Sequence, residues 1–248
     1  MYGDDVNSTE AQLEAAITPN TAAILMYYYQ HRMDKQPSFE TQVRIARKHG
    51  IYLFVDAAAQ LPKKENLWCL TQAGADLVIF SGGKGLRGPQ SSGLIVGRRD
   101  LIDRILTITN PNRGVGRPLK VGKEEIIGLM TAIRVYMESD EDAVIAEYER
   151  QVKYAVNSLT GFEGVEITRS FPGQVGKPMP RLQIRPISGT FPKNTVEISD
   201  LLKRCNPAVL VGVQEDSLYV NPETLMKGEM EIVVDKIKEV LTKIGSKK

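Results

Sequence analysis

Residues 77–92, LVIFSGGKGLRGPQSS, place one lysine, Lys84, in a glycine-rich turn directly after an apolar run. Upstream, residues 51–60, IYLFVDAAAQ, contain a second β-branched and aromatic run that ends at an aspartate, Asp56. Such continuous apolar runs are typical of parallel strands buried on both faces of a sheet. Because open α/β sheets bind ligands at the carboxyl ends of their strands, Asp56 and Lys84 are predicted to belong to one site.

The chain up to about Gly97 alternates apolar runs with capped amphipathic segments, which indicates βαβ units. Helices are predicted up to about Ile17, over residues 39–49 and over residues 65–73. Ser38 is the expected N-cap of the second helix, and Gly50 the residue that closes it. The connection 81–92 is too short for a crossover helix, so the fourth strand should run antiparallel to the third. The four predicted strands are residues 22–29, 51–55, 77–80 and 93–97.

A polar, basic segment punctuated by Gly and Pro, residues 109–123, predicts a functional loop or an interface. The chain then restarts as a smaller unit, so the predicted fold class is α/β. A mixed, mostly parallel sheet forms a large domain at residues 1–138, and a smaller C-terminal α+β domain covers residues 139–248. The elements predicted after the basic segment are helices at 124–137 and 140–159, strands at 165–168, 181–185, 209–213 and 217–220, and a closing helix at 227–244.

Composition restricts the class of protein. The 248 residues are 42% hydrophobic and carry a net charge of only +2, with scattered basic residues, which argues against a nucleic-acid partner. Cys69 and Cys205 lie far apart without metal-ligand spacing, so neither a disulfide framework nor a metal site is expected. No apolar run approaches the ~20 residues that span a bilayer, and the amino terminus has no signal-peptide pattern. These features predict a cytoplasmic protein with no membrane partner.

The residues at the two strand ends predict a pyridoxal phosphate site. A lysine held in a turn suits Schiff-base chemistry with a carbonyl cofactor, so Lys84 is the expected covalent anchor. Asp56 can pair with the protonated ring nitrogen. The Ser81 hydroxyl and the amide N–H groups after it, including that of Gly83, can bind the phosphate. Taken singly, Lys84 fits a solvated turn residue and Asp56 a helix cap, but their combination favours the site.

Further polar residues are candidates with open alternatives. Gln60 either contacts the phenolic oxygen of the cofactor or caps backbone groups. Arg87 is suited to the cofactor phosphate or to an anionic substrate. Arg117 and Lys120 belong to a basic cluster with Arg113 and Lys123, which either binds a substrate phosphate or carboxylate or forms a solvated face.

These motifs resemble a known superfamily. The order of a strand with Asp, a strand with Ser-x-x-Lys, and then Gly-Pro is similar to fold type I pyridoxal phosphate enzymes of the aminotransferase class V arrangement. VDAAAQLP, GADLVIFSGGKGLRGPQSSGLIVGRRDLI and GRPLKVGKEEIIGL resemble the selenocysteine synthase-like branch, which includes D-glucosaminate-6-phosphate ammonia-lyase. The resemblance implies the Schiff-base role for Lys84, the ring-nitrogen partner for Asp56 and phosphate binding for Ser81. It also implies a homodimer or larger homo-oligomer.

Two departures from the family pattern affect what is expected. The glutamine of class V enzymes follows the aspartate by three residues, whereas Gln60 follows Asp56 by four. Family members also carry a long preceding segment with a glycine-rich phosphate loop and a ring-stacking residue, and Met1 to Tyr29 supplies neither. We therefore expect a fragment or a misplaced start, which binds the cofactor weakly or not at all on its own.

The leading hypothesis is a pyridoxal phosphate-dependent lyase that eliminates ammonia or another leaving group from an amino acid or amino-sugar acid. Lys84 would be the general base at Cα. The alternatives are a seryl-tRNA selenium transferase, a class V aminotransferase or cysteine desulfurase, and a catalytically inactive fragment.

Overall fold

A computed structural model describes residues 7–28, 34–173 and 176–245 of the chain. Within these ranges the protein forms two compact units that divide between Ser139 and Asp140, with residues 176–177 grouped with the first. Each unit has its own hydrophobic core. The predicted end of the first strand, at Tyr29, lies outside the described residues.

The first unit contains four strands and five helices among its described residues. The strands are β1 (Ala23–Tyr27), β2 (Tyr52–Asp56), β3 (Leu77–Ser81) and β4 (Gly93–Gly97). The helices are α1 (Glu10–Ala16), α2 (Phe39–His49), the short α3 (Cys69–Gln72), α4 (Arg99–Ile108) and α5 (Lys123–Glu138). The sheet order is β1-β2-β3-β4, and we call it the first sheet. Its first three strands are parallel and β4 is antiparallel to β3, which confirms the predicted mostly parallel α/β class.

Local chemistry explains why α2 begins and ends where the sequence predicts. The Ser38 side chain accepts a hydrogen bond from the Thr41 N–H at 3.2 Å, which satisfies one of the free donors of the first turn. At the other end Gly50 adopts φ +65°, a left-handed conformation that glycine reaches without a Cβ clash. The following strand, β2, therefore starts directly after the turn and carries Asp56 at its far end.

Only one face of the first sheet is fully covered by the described residues. Ile24 and Met26 of β1 are buried, whereas Leu25 and Tyr27, which point to the opposite face, are 52% and 54% exposed. The expectation that β1 is buried on both faces is therefore wrong within the described residues, because β1 alternates like a half-covered strand. Paired positions place four side chains in one row across this open face: Tyr27, Asp56, Ile79 and Ile95.

The second unit is an antiparallel sheet packed against three helices. Its helices are α6 (Glu141–Leu159), α7 (Thr195–Lys203) and α8 (Glu229–Gly245), and its strands are β5 (Val165–Ser170), β6 (Arg181–Pro186), β7 (Gly212–Gln214) and β8 (Ser217–Val220). The order β5-β6-β8-β7 forms the second sheet. Alternate residues such as Leu182, Ile184 and Leu218 are completely buried in the core shared with the helices. The opposite face of this sheet carries polar side chains.

Two expectations from the sequence need correction, and two helices were not predicted. Residues 65–73 form a 3₁₀ turn (Lys64–Leu67) followed by the short α3, and not one continuous helix. The predicted strand at 209–213 is β7, which is shifted to Gly212–Gln214. Helices α4 and α7 were not predicted, although Asn194 and Glu197 form a capping box that marks the start of α7.

In the described part of the chain no helix is long and apolar enough to cross a bilayer.

Candidate functional site

Asp56 and Ser81 end two neighbouring parallel strands, so both lie at the carboxyl edge of the first sheet. Asp56 pairs with Ile79, and just beyond it the Ala57 N–H donates to the Ile79 carbonyl at 2.9 Å. The half-buried Asp56 carboxylate accepts a hydrogen bond from the Ala58 N–H at 3.0 Å through Oδ1, which fixes the side chain over the strand end. This is the edge at which open α/β sheets bind ligands.

The glycine-rich turn that carries Lys84 is closed by three backbone hydrogen bonds. The Gly82 N–H donates to the Ser92 carbonyl at 2.9 Å, and the Gly88 N–H donates to the Gly82 carbonyl at 2.8 Å. Inside this ring the Arg87 N–H donates to the Lys84 carbonyl at 2.9 Å. Leu86 is buried in the core while Lys84 is exposed, so the turn is held by its backbone and by Leu86 and leaves the lysine side chain accessible.

Glycines are required where this turn passes close to its neighbours. A Cβ on Gly82 would lie 2.0 Å from the Ser92 Oγ, and a Cβ on Gly85 would lie 2.8 Å from the Leu61 carbonyl oxygen. Since real Cβ atoms do not approach this closely, a side chain at either position would displace the turn. The close packing on Leu61 also connects the turn to the segment that follows Asp56.

Two side chains that the sequence analysis overlooked support the turn. The Gln90 Nε2 donates to the Gly83 carbonyl at 3.2 Å, and the Ser92 Oγ donates to the Pro89 carbonyl at 2.6 Å. The polar run PQSS after the turn was the available signal. These contacts leave the Gly83 N–H, the expected phosphate donor, in a backbone segment that is held on both sides.

Gln60 lies four residues past Asp56, and it is only 9% exposed. Its backbone is fixed, because its N–H donates to the Ala57 carbonyl at 3.0 Å and its carbonyl accepts from Asn66 Nδ2 at 2.6 Å. No acceptor among the described residues takes a hydrogen bond from its Nε2. A buried donor without an acceptor costs about 1–3 kcal/mol, so this amide is better suited to an oxygen of a bound ligand than to the capping alternative.

The other predicted residues are exposed. Arg87 is part of the Lys84 turn and adopts φ +55°, in the left-handed region that is uncommon for a residue with a side chain. Arg117 lies in a short 3₁₀ turn between α4 and α5, and its guanidinium donates to the Pro111 carbonyl. Lys120 follows this turn. The hydrogen bonds of Arg117 are local, to Pro111 and Gly114, so the part of Arg117 and Lys120 in the site stays a prediction.

The donor set at this edge fits pyridoxal phosphate in the groups that it presents. It comprises an exposed amine, a carboxylate, a hydroxyl, backbone N–H groups and one buried amide donor without a partner. Within residues 7–28, 34–173 and 176–245, no group of three or more His, Cys, Asp or Glu side chains could hold a metal ion. Asp56 and Ser81 end adjacent strands, and Gly83 and Lys84 follow Ser81 in the turn. That these four residues form one site stays a prediction.

Comparison with known proteins relates this chain to a family of enzymes. The family model described as "SelA: L-seryl-tRNA selenium transferase" matches residues 5–226. D-glucosaminate-6-phosphate ammonia lyase of Salmonella typhimurium is 28% identical over 237 residues, which are 94% of this chain and 61% of that protein. A 5'-C-glycyluridine monooxygenase-decarboxylase from a Streptomyces species is 30% identical over 249 residues, which are 97% of this chain and 59% of that protein. The chain thus spans about 60% of the length of these two relatives.

The fold is similar to a solved structure of D-glucosaminate-6-phosphate ammonia-lyase. The TM-score is 0.77 at 26% sequence identity, and the match covers 98% of this chain and 63% of that structure. The likeness therefore extends over both units. It agrees with the fold that the motifs around Asp56 and Lys84 predict.

Proposed function

The chain belongs to the L-seryl-tRNA selenium transferase family, and we propose that it is a pyridoxal phosphate-dependent lyase that eliminates ammonia from an amino acid or an amino-sugar acid. The observation that carries this proposal is the placement of Asp56 and Ser81 on adjacent strand ends, with Lys84 in the closed turn that follows Ser81. The similarity to D-glucosaminate-6-phosphate ammonia lyase supports the choice of reaction. When bound, the cofactor supplies an electron sink for charge that develops at the substrate Cα.

Asp56 holds a proton at the ring nitrogen in this proposal. Its carboxylate is oriented by the Ala58 N–H, and the second oxygen is available to accept a hydrogen bond from a pyridinium. Tyr27 and Ile79 are its neighbours in the same row of the open face, so a ring bound on this face would displace water from the carboxylate. A carboxylate in such surroundings attracts a cationic ring more strongly than one in bulk water.

Lys84 is proposed to bind the cofactor carbonyl and then to move the proton at Cα. The hydrogen bond from the Arg87 N–H to the Lys84 carbonyl fixes the backbone, so the amine at the end of the flexible side chain sweeps a limited volume. Neither task requires a histidine. Lys84 is thus assigned both as anchor and as general base.

Ser81, Gly83 and Gln60 are proposed to orient the cofactor. The Ser81 hydroxyl and the Gly83 N–H donate to phosphate oxygens, and the Gln60 Nε2 donates to the phenolic oxygen. The buried, unpartnered state of Gln60 Nε2 among the described residues supports this role. Arg87, Arg117 and Lys120 are proposed to bind an anionic group of the substrate.

The test is an absorbance titration of the purified chain with pyridoxal phosphate, followed by borohydride reduction and peptide mapping. Although the chain on its own is expected to bind the cofactor weakly, at saturating cofactor we expect a band at about 420 nm that reduction abolishes, with the pyridoxyl group on Lys84. Lys84→Arg should lose the band, whereas Lys63→Arg, which changes an exposed lysine paired with Glu65, should keep it. Absence of the band at saturating cofactor, or labelling spread over many lysines, contradicts the proposal and supports the inactive alternative.

A selenium transferase acting on seryl-tRNA is the second candidate, because the family model carries that name. The near-neutral net charge of +2 favours a small substrate over a tRNA. Binding of tRNA at low and high salt separates the two candidates, since phosphate contacts weaken steeply with salt. Tight retention at low salt that falls steeply with added salt would favour the transferase.

The transamination and desulfuration alternatives are tested by half-reactions. Cys69 is half-buried next to Asn66, where burial raises the pKa of its thiol, so it is poorly suited to be a desulfurase nucleophile. Transamination is tested separately by spectra recorded with amino donors, in which the proposed elimination should show no accumulation of the aminated cofactor. Its accumulation would move the proposal from elimination to transamination.

We further propose a cytoplasmic homodimer or larger homo-oligomer. The first unit exposes large apolar side chains at Val115 (88%), Leu119 (81%), Ile127 (61%) and Met130 (62%). Monomeric proteins rarely expose large apolar patches to water. A light-scattering mass measured across a concentration series tests this assembly. A mass of one chain at all concentrations contradicts it.

A further inference from the structure

Arg181 is a buried arginine whose charge is not matched by an acid among the described residues. It begins β6, on the polar face of the second sheet, and is only 8% exposed. Its guanidinium carbon lies 4.1 Å from the centre of the Tyr219 ring, and its Nη1 donates to Gln214 Oε1 at 3.2 Å. Both partners are neutral, and burial lowers the pKa of the guanidinium. A buried charge without a counter-charge is costly and rare in proteins.

The unsatisfied edge of this guanidinium is the one that other arginines of the chain use to bind carboxylates. Arg150 donates from Nε and Nη2 to the two oxygens of Glu147 at 2.7 and 2.6 Å. Arg98 donates from the same two atoms to Asp100, at 3.0 Å each. In Arg181 the Nη1 is engaged with Gln214, whereas no acceptor in the described part of the chain takes a hydrogen bond from the buried Nε.

Arg185 provides an internal comparison on the same strand. It lies four residues further along β6, hence on the same face as Arg181, and uses Nε and Nη2 to bind Glu166 of β5. Arg185 is exposed and paired, while Arg181 is buried and has a neutral set of neighbours. Burial without an acid partner therefore distinguishes Arg181 from an ordinary surface arginine.

We infer that the Nε edge of Arg181 is the binding site for the carboxylate of a small molecule, with Tyr219 and Gln214 holding the guanidinium plane in place. A carboxylate is the ligand that matches this edge, because its two oxygens accept two parallel N–H bonds. Tyr219 stacks on one face of the guanidinium, and Gln214 occupies Nη1, so the plane is oriented before the ligand arrives. The site lies within the second unit and does not depend on the proposed cofactor chemistry.

The test follows the arginine Nε–Hε signals of the cofactor-free full chain by NMR while sodium acetate replaces sodium chloride at constant ionic strength. We expect a saturable shift at Arg181, with an apparent Kd at least about tenfold lower than any response at Arg185, whose edge is already occupied. Arg181→Lys should remove the saturable response, and Arg185→Lys should leave it intact. Because the wild-type signal is read directly, the result does not depend on a variant folding.

Three outcomes overturn the inference. They are the absence of a saturable shift at Arg181, an equal response at Arg185, and a response to inorganic phosphate with none to acetate. The first would assign Arg181 to the fold alone, through its stacking on Tyr219. Since no cofactor is present, each outcome is independent of whether Lys84 binds pyridoxal phosphate.

Discussion

Replacing the buried Asp76 is expected to destabilise the first unit more than replacing the exposed Asp100. Asp76 is completely buried directly before β3, and its Oδ2 accepts a hydrogen bond from the Leu53 N–H of β2 at 2.8 Å. The same carboxylate binds Arg47 and Arg98, each at 3.2 Å. The Asp76 side chain therefore joins α2, β2 and the residue after β4. It lies at the end of the first sheet opposite to the end that carries Asp56.

The expected magnitude follows from which of these contacts are buried. Asp76→Ala leaves the Leu53 N–H without an acceptor in a fully buried position, which costs about 1–3 kcal/mol. Both arginine side chains are about half exposed, at 51% and 47%, so solvent screening limits their loss to about 1 kcal/mol in total. We therefore expect a decrease of about 3 kcal/mol in the free energy of unfolding.

Urea unfolding followed by Trp68 fluorescence measures this change, because the chain has a single tryptophan and it lies in the first unit. Asp76→Asn keeps an oxygen for the Leu53 N–H and should lose only about 1 kcal/mol. Asp100→Asn is the matched control, since it breaks only a solvent-exposed pair with Arg98 and should leave the midpoint of urea unfolding close to that of the unmodified chain. A loss below about 1 kcal/mol for Asp76→Ala would refute the reasoning that the buried backbone contact dominates.

Further outcomes are expected at other positions. Gly85→Ala places a Cβ 2.6 Å from the Leu61 Cβ and should destabilise the chain by about 1–3 kcal/mol while weakening cofactor labelling of Lys84, as read by urea unfolding and peptide mapping. Ser38→Ala removes the N-cap of α2 and should cost about 1 kcal/mol, whereas Ser38→Asp should preserve the cap and the midpoint of urea unfolding. Hydrogen bonds from Arg150, and then from Gln151, lower the pKa of Glu147 from 4.5 to about 2. Because the folded-state pKa is the lower one, Glu147 stabilises the fold above about 4.5 and loses this effect as the pH falls towards 2, so Glu147→Gln should flatten acid unfolding measured by circular dichroism.

The sequence was sufficient to predict the first sheet because its signals are local. The cap at Ser38, the closing Gly50 and the short connection after Ser81 each act within a few residues, and all three appear as expected. Helix α7 was missed although its capping box is visible, because nine residues are too few for a helical period to be distinguished in the sequence. The exposure of Leu25 and Tyr27 depends on what covers the sheet, which no pattern within β1 can report.

The candidate site shows the same division. Asp56, Ser81 and Lys84 could be identified from the strand ends and the turn, because residue type and order are visible in the sequence. The unpartnered Nε2 of Gln60 could not, since it reflects burial and the absence of an acceptor among the described residues. Arg181 was missed because its guanidinium is distinguished by neighbours from β7 and β8, far away along the chain.

One row of side chains on the open face of the first sheet surrounds a carboxylate with apolar neighbours. It consists of Tyr27, Asp56, Ile79 and Ile95. Any molecule that covers the row removes water from the carboxylate as well as from its apolar neighbours. A less hydrated carboxylate attracts a positive charge more strongly. For the proposed cofactor, binding of its cationic ring at Asp56 and covering of this row would therefore favour each other.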